Sequence, residues 1–116
     1  MENNLYHADC PAMETIALIG GRWKVIILHV LSIHARRFGE INVRIPAISR
    51  KVLTEQLREL EADGLISRKQ NKELSPKVEY ALTDFGKSLC PLLSYISAWK
   101  KNVEGNSSQD IIQLPD

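Results

Sequence analysis

Apolar residues recur at helical spacing through most of the chain and change to strict alternation over one short stretch. Leu53, Leu57 and Leu60 fall at i, i+4 and i+7, one stripe of a 3.6-residue period, inside the segment Ile48–Asp63. Lys51, Glu55 and Arg58 lie on the opposite side of that predicted helix, with Thr54 at its margin. Ser49 suits its N-cap, and Gly64 suits a left-handed stop after which Leu65 folds back. Upstream, Trp23, Ile26, Ile27, Val30 and Leu31 predict a helix central to the core. Met13, Ile16, Ala17 and Gly20 predict an earlier one, opened by Cys10-Pro11 with Pro at the first helical position and Cys10 as cap, and ended by Gly20-Gly21. Between these and Ser49, after a connection over 32–35, a short helix starts at Arg37 with Phe38, Ile41 and Ile45 as its buried side. Pro46 stops it and pushes Ile45 towards an extended conformation.

A short helix, the tight turn Pro46-Ala47-Ile48 and a second amphipathic helix form a helix-turn-helix pattern. After Gly64 the period changes. Leu65–Lys69 reads as a strand, Asn71–Pro76 as a turn, and Val78–Leu82 as a half-buried strand with Lys77 at its start. The hairpin carries Arg68, Lys69, Lys72 and Lys77 at or near its tip. Lysines that merely blunt a strand edge are the competing explanation for them. The predicted fold is mainly α with a small β-hairpin wing: a winged helix-turn-helix. Thr83 then caps a last helix, with Asp84 in its first turn and a stripe of Phe85, Leu89, Leu92, Leu93, Ile96 and Trp99. Pro91 lies inside it and predicts a kink. A small three-helix core cannot bury this stripe together with the first helix. The surplus is expected to be a partner surface, most simply for a second copy of the chain, against the alternative that the last helix closes the monomer's own core. The predicted organisation is an arm over 1–9, one domain over 10–104 and a tail over 105–116, with Ile111, Ile112 and Leu114 as the tail's anchors.

The length of 116 residues suits one domain. A net charge of +1 does not by itself announce a polyanion partner, but its distribution does more. Arg36–Lys77 holds ten Lys/Arg against six Asp/Glu, a local excess of +4, while the flanks carry −1 and −2. Arg50 and Lys51 sit at a helix entrance, where the dipole disfavours cations and free N–H groups attract phosphate. No apolar run approaches the roughly 18 residues of a membrane span, and the start of the chain lacks a signal pattern. The cytoplasm is the expected location, with no membrane partner. Two cysteines are too few for a disulfide framework. No phosphate-binding glycine loop, nucleophile motif or recognisable carboxylate pair argues for an enzyme. His7, His29 and His34 with Cys10 match no standard metal spacing. Neither metal nor cofactor is expected.

Several segments together resemble one family: Cys10-Pro11, Ile19–Lys24, Arg37-Phe38 with Glu40-Ile41, Ile48-Ser49, Leu53-Thr54 through Leu57–Leu65, and Val78–Tyr80 with Leu82-Thr83. In order and spacing they are similar to the HxlR family, bacterial winged-helix transcription regulators related to MarR-type repressors. The likeness spans about Cys10 to Lys101. It departs at Ala47, where many members carry Gly, and leaves out the arm and the segment after Asn102. It implies a homodimer joined through its first and last helices on a palindromic operator in double-stranded DNA. In that setting the helix from Ser49 enters the major groove. Arg50 and Lys51 are candidates for base or phosphate contacts, Ser49 and Thr54 for shorter hydrogen bonds, with Arg58 farther along the same helix. Arg36 and Arg37 would hold phosphates, and Arg68, Lys69, Lys72 and Lys77 would lay the wing on the backbone or in the minor groove. Some HxlR-like regulators sense oxidants, quinones or aldehydes through a cysteine at the position of Cys10. A thiolate there is favoured by the helix dipole and opposed by Asp9. Cys90 is the candidate resolving partner, the effector class being a small electrophile or oxidant. The alternatives are a small buried cap at Cys10, a ligand-responsive regulator without redox sensing, and a winged helix used for protein contact.

Overall fold

In the computed structural model, which describes residues 10–71 and 77–105, the element boundaries follow the local chemistry closely. Helix α1 is Ala12–Ile19, α2 is Lys24–Ile33, and strand β1 is Arg36–Arg37. Helices α3 (Phe38–Arg44) and α4 (Arg50–Ala62) follow, then β2 (Ile66–Asn71), β3 (Lys77–Leu82), α5 (Asp84–Ser88) and α6 (Cys90–Gly105). The arm over 1–9, the hairpin turn over 72–76 with Lys72, and the tail from 106 with Ile111, Ile112 and Leu114 lie outside the described residues.

Helix α4 is bounded as its sequence dictates. The Ser49 hydroxyl accepts the Val52 N–H at 3.1 Å, satisfying one of the free donors at the helix start. At the other end Gly64 takes φ 81°. Its N–H donates to the Glu61 carbonyl and the Leu65 N–H to the Leu60 carbonyl, each at 3.0 Å. This is the Schellman closure, and it turns Leu65 into the core, where it is fully buried. Leu53, Leu57 and Leu60 are all buried, each contributing about 1.5–3 kcal/mol by leaving water. They pack with Ile27, Leu28 and Leu31 of α2, Ile41 of α3, and Ile66 and Leu82 of the sheet in one core. Ile45, with φ −128° and ψ 72°, leaves α3 as a residue before Pro must.

The sheet has one strand more than the sequence predicts. Arg36–Arg37 pairs antiparallel with β3, giving the order β1-β3-β2, so β3 is central. The sequence places a connection and a helix start there, because a two-residue strand has no periodicity to read.

Three apolar stripes also differ from expectation. In α1, Ile16 is exposed and Ile19 is the buried residue. In α2, Ile26 is 39% exposed and Leu28 takes its place inside. That helix is apolar on nearly all sides, and its second face, Val25 and Ile26 with His29, looks across a groove of about 700 Å³ towards Cys90, Leu93 and Ile96. The last helix is broken rather than kinked. Pro91 has no N–H to donate to the Lys87 carbonyl, so α5 ends at Ser88 and α6 starts afresh at Cys90. No residue of α6 is buried, and Leu92, Tyr95, Ile96 and Trp99 are exposed.

Thr83 ties this C-terminal part to the end of α4. Its N–H donates to the Leu65 carbonyl at 3.1 Å and its hydroxyl donates to the Gly64 carbonyl at 2.6 Å. The same hydroxyl accepts the Gly86 N–H at 3.0 Å, capping α5. Gly86 is required there, because a Cβ would collide with the Leu65 carbonyl oxygen.

Candidate nucleic-acid interface

The capped start of α4 leaves its cations outside. Arg50 and Lys51 are exposed, and no acidic residue occupies the first turn. The Arg50 guanidinium lies 4.7 Å from the Phe38 ring centroid, so α3 holds it by a cation–π contact. This pre-orients a long side chain that would otherwise lose rotamer freedom on binding. The Thr54 hydroxyl donates to the Arg50 carbonyl at 2.8 Å, which leaves its oxygen as an acceptor. Ser49 and Arg58 are exposed.

Strand register sorts the hairpin cations. Ile66, Arg68 and Gln70 pair with Leu82, Tyr80 and Val78, so these rows share the face that carries Ile66 and Leu82 into the core. Lys69 pairs with Glu79 on the outer face, and Lys77 lies on that same side of its strand. Arg68 therefore leans towards α4, whereas Lys69 and Lys77 point away from it. Glu79 lies between Lys69 on one side and Arg37 on the other, which moderates the positive potential of that row. Lys72 lies outside the described residues.

Arg36 corrects the sequence reading. It is 4% exposed, and its Nε donates to the Val30 carbonyl at 3.2 Å. Its guanidinium closes the C-terminal end of α2 and is not available to a surface phosphate. Its neighbour Arg37 is exposed at the start of α3. There the Arg37 N–H donates to Glu40 Oε1 at 2.8 Å. That bond, and the charges of Arg37, Arg36 and Arg44, hold the Glu40 carboxyl below its ordinary range.

The sequence reading also misses an ion pair. Lys24 is 8% exposed, and its Nζ lies 2.8 Å from Glu59 Oε1 on α4. The scaffold helix thus grips the C-terminal half of α4 by a charge-assisted bond. A signal for it exists: Lys24 precedes Ile27 and Leu28 by three and four residues, on the buried face of α2. A cation there demands a partner, although periodicity cannot say which. Cys10 is exposed at the entrance of α1, so the reading of it as a small buried cap does not hold. Pro11 already has helical angles (φ −56°, ψ −27°), and the Cys10 carbonyl accepts the Met13 N–H at 2.9 Å. Cys90 is half-buried in the wall of the α2–α6 groove, and both thiols are free.

Comparison with known proteins gives this arrangement its context. Residues 18–108 match the model of the HxlR-like helix-turn-helix family. The chain is 46% identical over 90 residues to YdeP, an uncharacterised helix-turn-helix-type transcriptional regulator of Bacillus subtilis, covering 78% of this chain and 70% of that one. Among solved structures it is similar to the redox regulator HypR in its reduced form, with TM-score 0.77 and 39% identity over 86% of this chain and 100% of that one. HypR is also described in an oxidised form. The reduced form of the transcriptional regulator YodB from Bacillus subtilis gives TM-score 0.74 and 40% identity, covering 80% and 92%. YodB is also described diamide-treated and quinone-bound. Among the described residues no single helix is long and apolar enough to cross a membrane. The fold, the helix-turn-helix and the family match agree: the chain belongs to the HxlR-like helix-turn-helix family of transcriptional regulators.

Proposed function

We propose that the protein is a cytoplasmic regulator whose domain over 10–104 binds a palindromic operator in double-stranded DNA as a homodimer. The observation that carries this reading is the entrance of α4. Its Ser49 cap leaves exposed cations, one of them pre-oriented on Phe38, and no acid in the first turn. An anion approaching there meets positive charge, free N–H groups and the positive end of the helix dipole. α4 lies in the major groove, with Arg50 and Lys51 against bases or backbone, Ser49 and Thr54 as shorter contacts, and Arg58 farther along. Arg37 holds a phosphate beside it. Arg68, Lys69, Lys77 and, in the turn, Lys72 lay the wing along the backbone. The exposed apolar faces of α1 and α6 support pairing of two copies, which a palindrome requires. Nothing in this reading calls for a catalytic step.

Anisotropy titration on duplexes selected from random DNA, at several salt concentrations, tests it. Lys72→Ala should weaken every duplex alike and reduce the salt slope by about one. Arg50→Ala should cost about 1–3 kcal/mol on the selected sequence and relax preference at one position. Equal effects of both variants on all sequences would remove the base-reading role of Arg50. Absence of salt-dependent duplex binding by the wild type would favour a protein-contact role.

The exposed thiol of Cys10, at the start of a helix in the proposed dimer face, also supports a response to oxidants or small electrophiles. The similar redox regulator HypR, and the transcriptional regulator YodB with its diamide-treated and quinone-bound forms, support the same reading. Modifying Cys10 would shift α1 and, through the dimer, the spacing of the two α4 helices, with Cys90 as the candidate second thiol. Diamide treatment should lower operator affinity of the wild type and leave Cys10→Ser unchanged. An unaltered wild-type response would end this part of the proposal.

A further inference from the structure

A second cationic feature lies away from the entrance of α4. Between α4 and the inner face of the sheet is a cleft of about 370 Å³, walled by Thr54, Arg58, Glu61, Arg68 and Tyr80. The sequence explains why these side chains converge. Thr54, Arg58 and Glu61 stand at i, i+4 and i+7 on one face of α4. Arg68 and Tyr80 are direct partners across the β2–β3 ladder, so both leave the sheet on the side facing α4. Two guanidinium groups and a phenol thus share one cleft with a single carboxylate. Among the described residues none of Arg58, Arg68 and Glu61 makes an ion pair, and the Tyr80 hydroxyl makes no hydrogen bond. The Thr54 hydroxyl proton is already given to the Arg50 carbonyl, so Thr54 serves as wall rather than donor.

Forked guanidinium donors beside a hydroxyl, with one positive charge left over, form a donor set for a tetrahedral oxyanion. We infer that this cleft is a phosphate-binding site in which Arg58, Arg68 and Tyr80 donate and Glu61 limits the affinity. Its position favours one source. Arg50, Thr54, Arg58 and Glu61 follow one another at i, i+4, i+8 and i+11, a single edge of α4. A duplex whose bases meet Arg50 therefore runs a backbone phosphate past the cleft. As a DNA contact the inference rests on the duplex-binding reading above. As a phosphate site it stands on the cleft alone, and a free phosphate-bearing molecule is the other source of the same chemistry.

The test uses the full chain with two probes, a labelled duplex and inorganic pyrophosphate. The variants are Arg58→Gln, Arg68→Gln, Tyr80→Phe and Glu61→Gln. On the duplex, each Arg variant should reduce the slope of log affinity against log salt by about one. Tyr80→Phe should weaken binding about three- to tenfold with the slope unchanged, because it removes a neutral donor and keeps the packing. Glu61→Gln should tighten binding by a similar factor on every sequence. A gain of that kind cannot come from a damaged fold. If the occupant is a free phosphate compound, pyrophosphate will bind the wild type saturably, and the Arg variants will lose it. Duplex binding by the wild type with all four variants unchanged in both titrations would overturn the inference. If the wild type binds no duplex, the DNA reading fails while the pyrophosphate titration still decides the cleft: loss in the Arg variants supports it, and no binding by the wild type rejects it.

Discussion

Single residues set the geometry of the interface, and their effects can be measured separately. Gly64 stands at φ 81°, where a Cβ is strained. Gly64→Ala should destabilise the domain by about 1–2 kcal/mol in urea titrations, and a neutral result would mean that the closure of α4 does not depend on it. Glu40 makes a pH-dependent contribution. Its carboxyl is held below the ordinary range, chiefly by the Arg37 N–H and then by the surrounding arginines. A depressed folded-state value means stability that is full above the unfolded value and lost as pH falls through the folded one. The melting temperature of the wild type should exceed that of Glu40→Gln at neutral pH, and the gap should close in acid, below the ordinary carboxylate range. A gap that persists there would remove the charge of Glu40 as its cause. Lys24 and Glu59 make an asymmetric pair, since Lys24 is buried and Glu59 is half in water. Removing the carboxylate strands the buried cation, so Glu59→Ala should cost on the order of 1–3 kcal/mol. Lys24→Met should be tolerated better, because it removes the charge that needs a partner. Equal losses from both would contradict this account of the pair.

Among the elements, α4 was the most legible. Its Leu53, Leu57 and Leu60 stripe, Ser49 cap and Gly64 stop are short-range signals, and each is found where periodicity and capping chemistry put it. Elements defined by distant partners were not legible in the same way. Strand β1 exists because β3 is free to pair on both edges, and nothing local in Arg36-Arg37 announces that. The same pairing buries Arg36 and withdraws it from the interface. The stripe of α2 differs from its periodicity at Ile26 and Leu28 because nearly every position of that helix is apolar, so periodicity cannot choose a face. The cleft between α4 and the sheet was invisible for a related reason. Arg68 and Tyr80 meet only through the register of the hairpin. Gly86 likewise gave no local sign of its role, which is to let α5 approach the Leu65 carbonyl.

For the whole molecule, the balance of covered and uncovered apolar surface is the informative quantity. The core is closed by α2, α3, α4 and the sheet, while Ile16 of α1 and Leu92, Tyr95, Ile96 and Trp99 of α6 remain exposed. Exposed apolar surface on this scale marks an interaction site. Ile96→Asp should convert a sedimenting dimer into a folded monomer and reduce operator binding, whereas an unchanged dimer would place the interface elsewhere. Two copies related by a twofold axis would present two α4 edges to one side of a duplex, with half-sites about one helical turn apart or a multiple of it. The central claim is that these cationic edges read DNA together. Hydroxyl-radical footprinting of the wild type on a sequence selected from random DNA tests it most directly. The account predicts two equivalent protected stretches related by a dyad, both lost when Arg50 and Lys51 are replaced by Ala. A single unsymmetrical footprint, or one that survives those replacements, would contradict it.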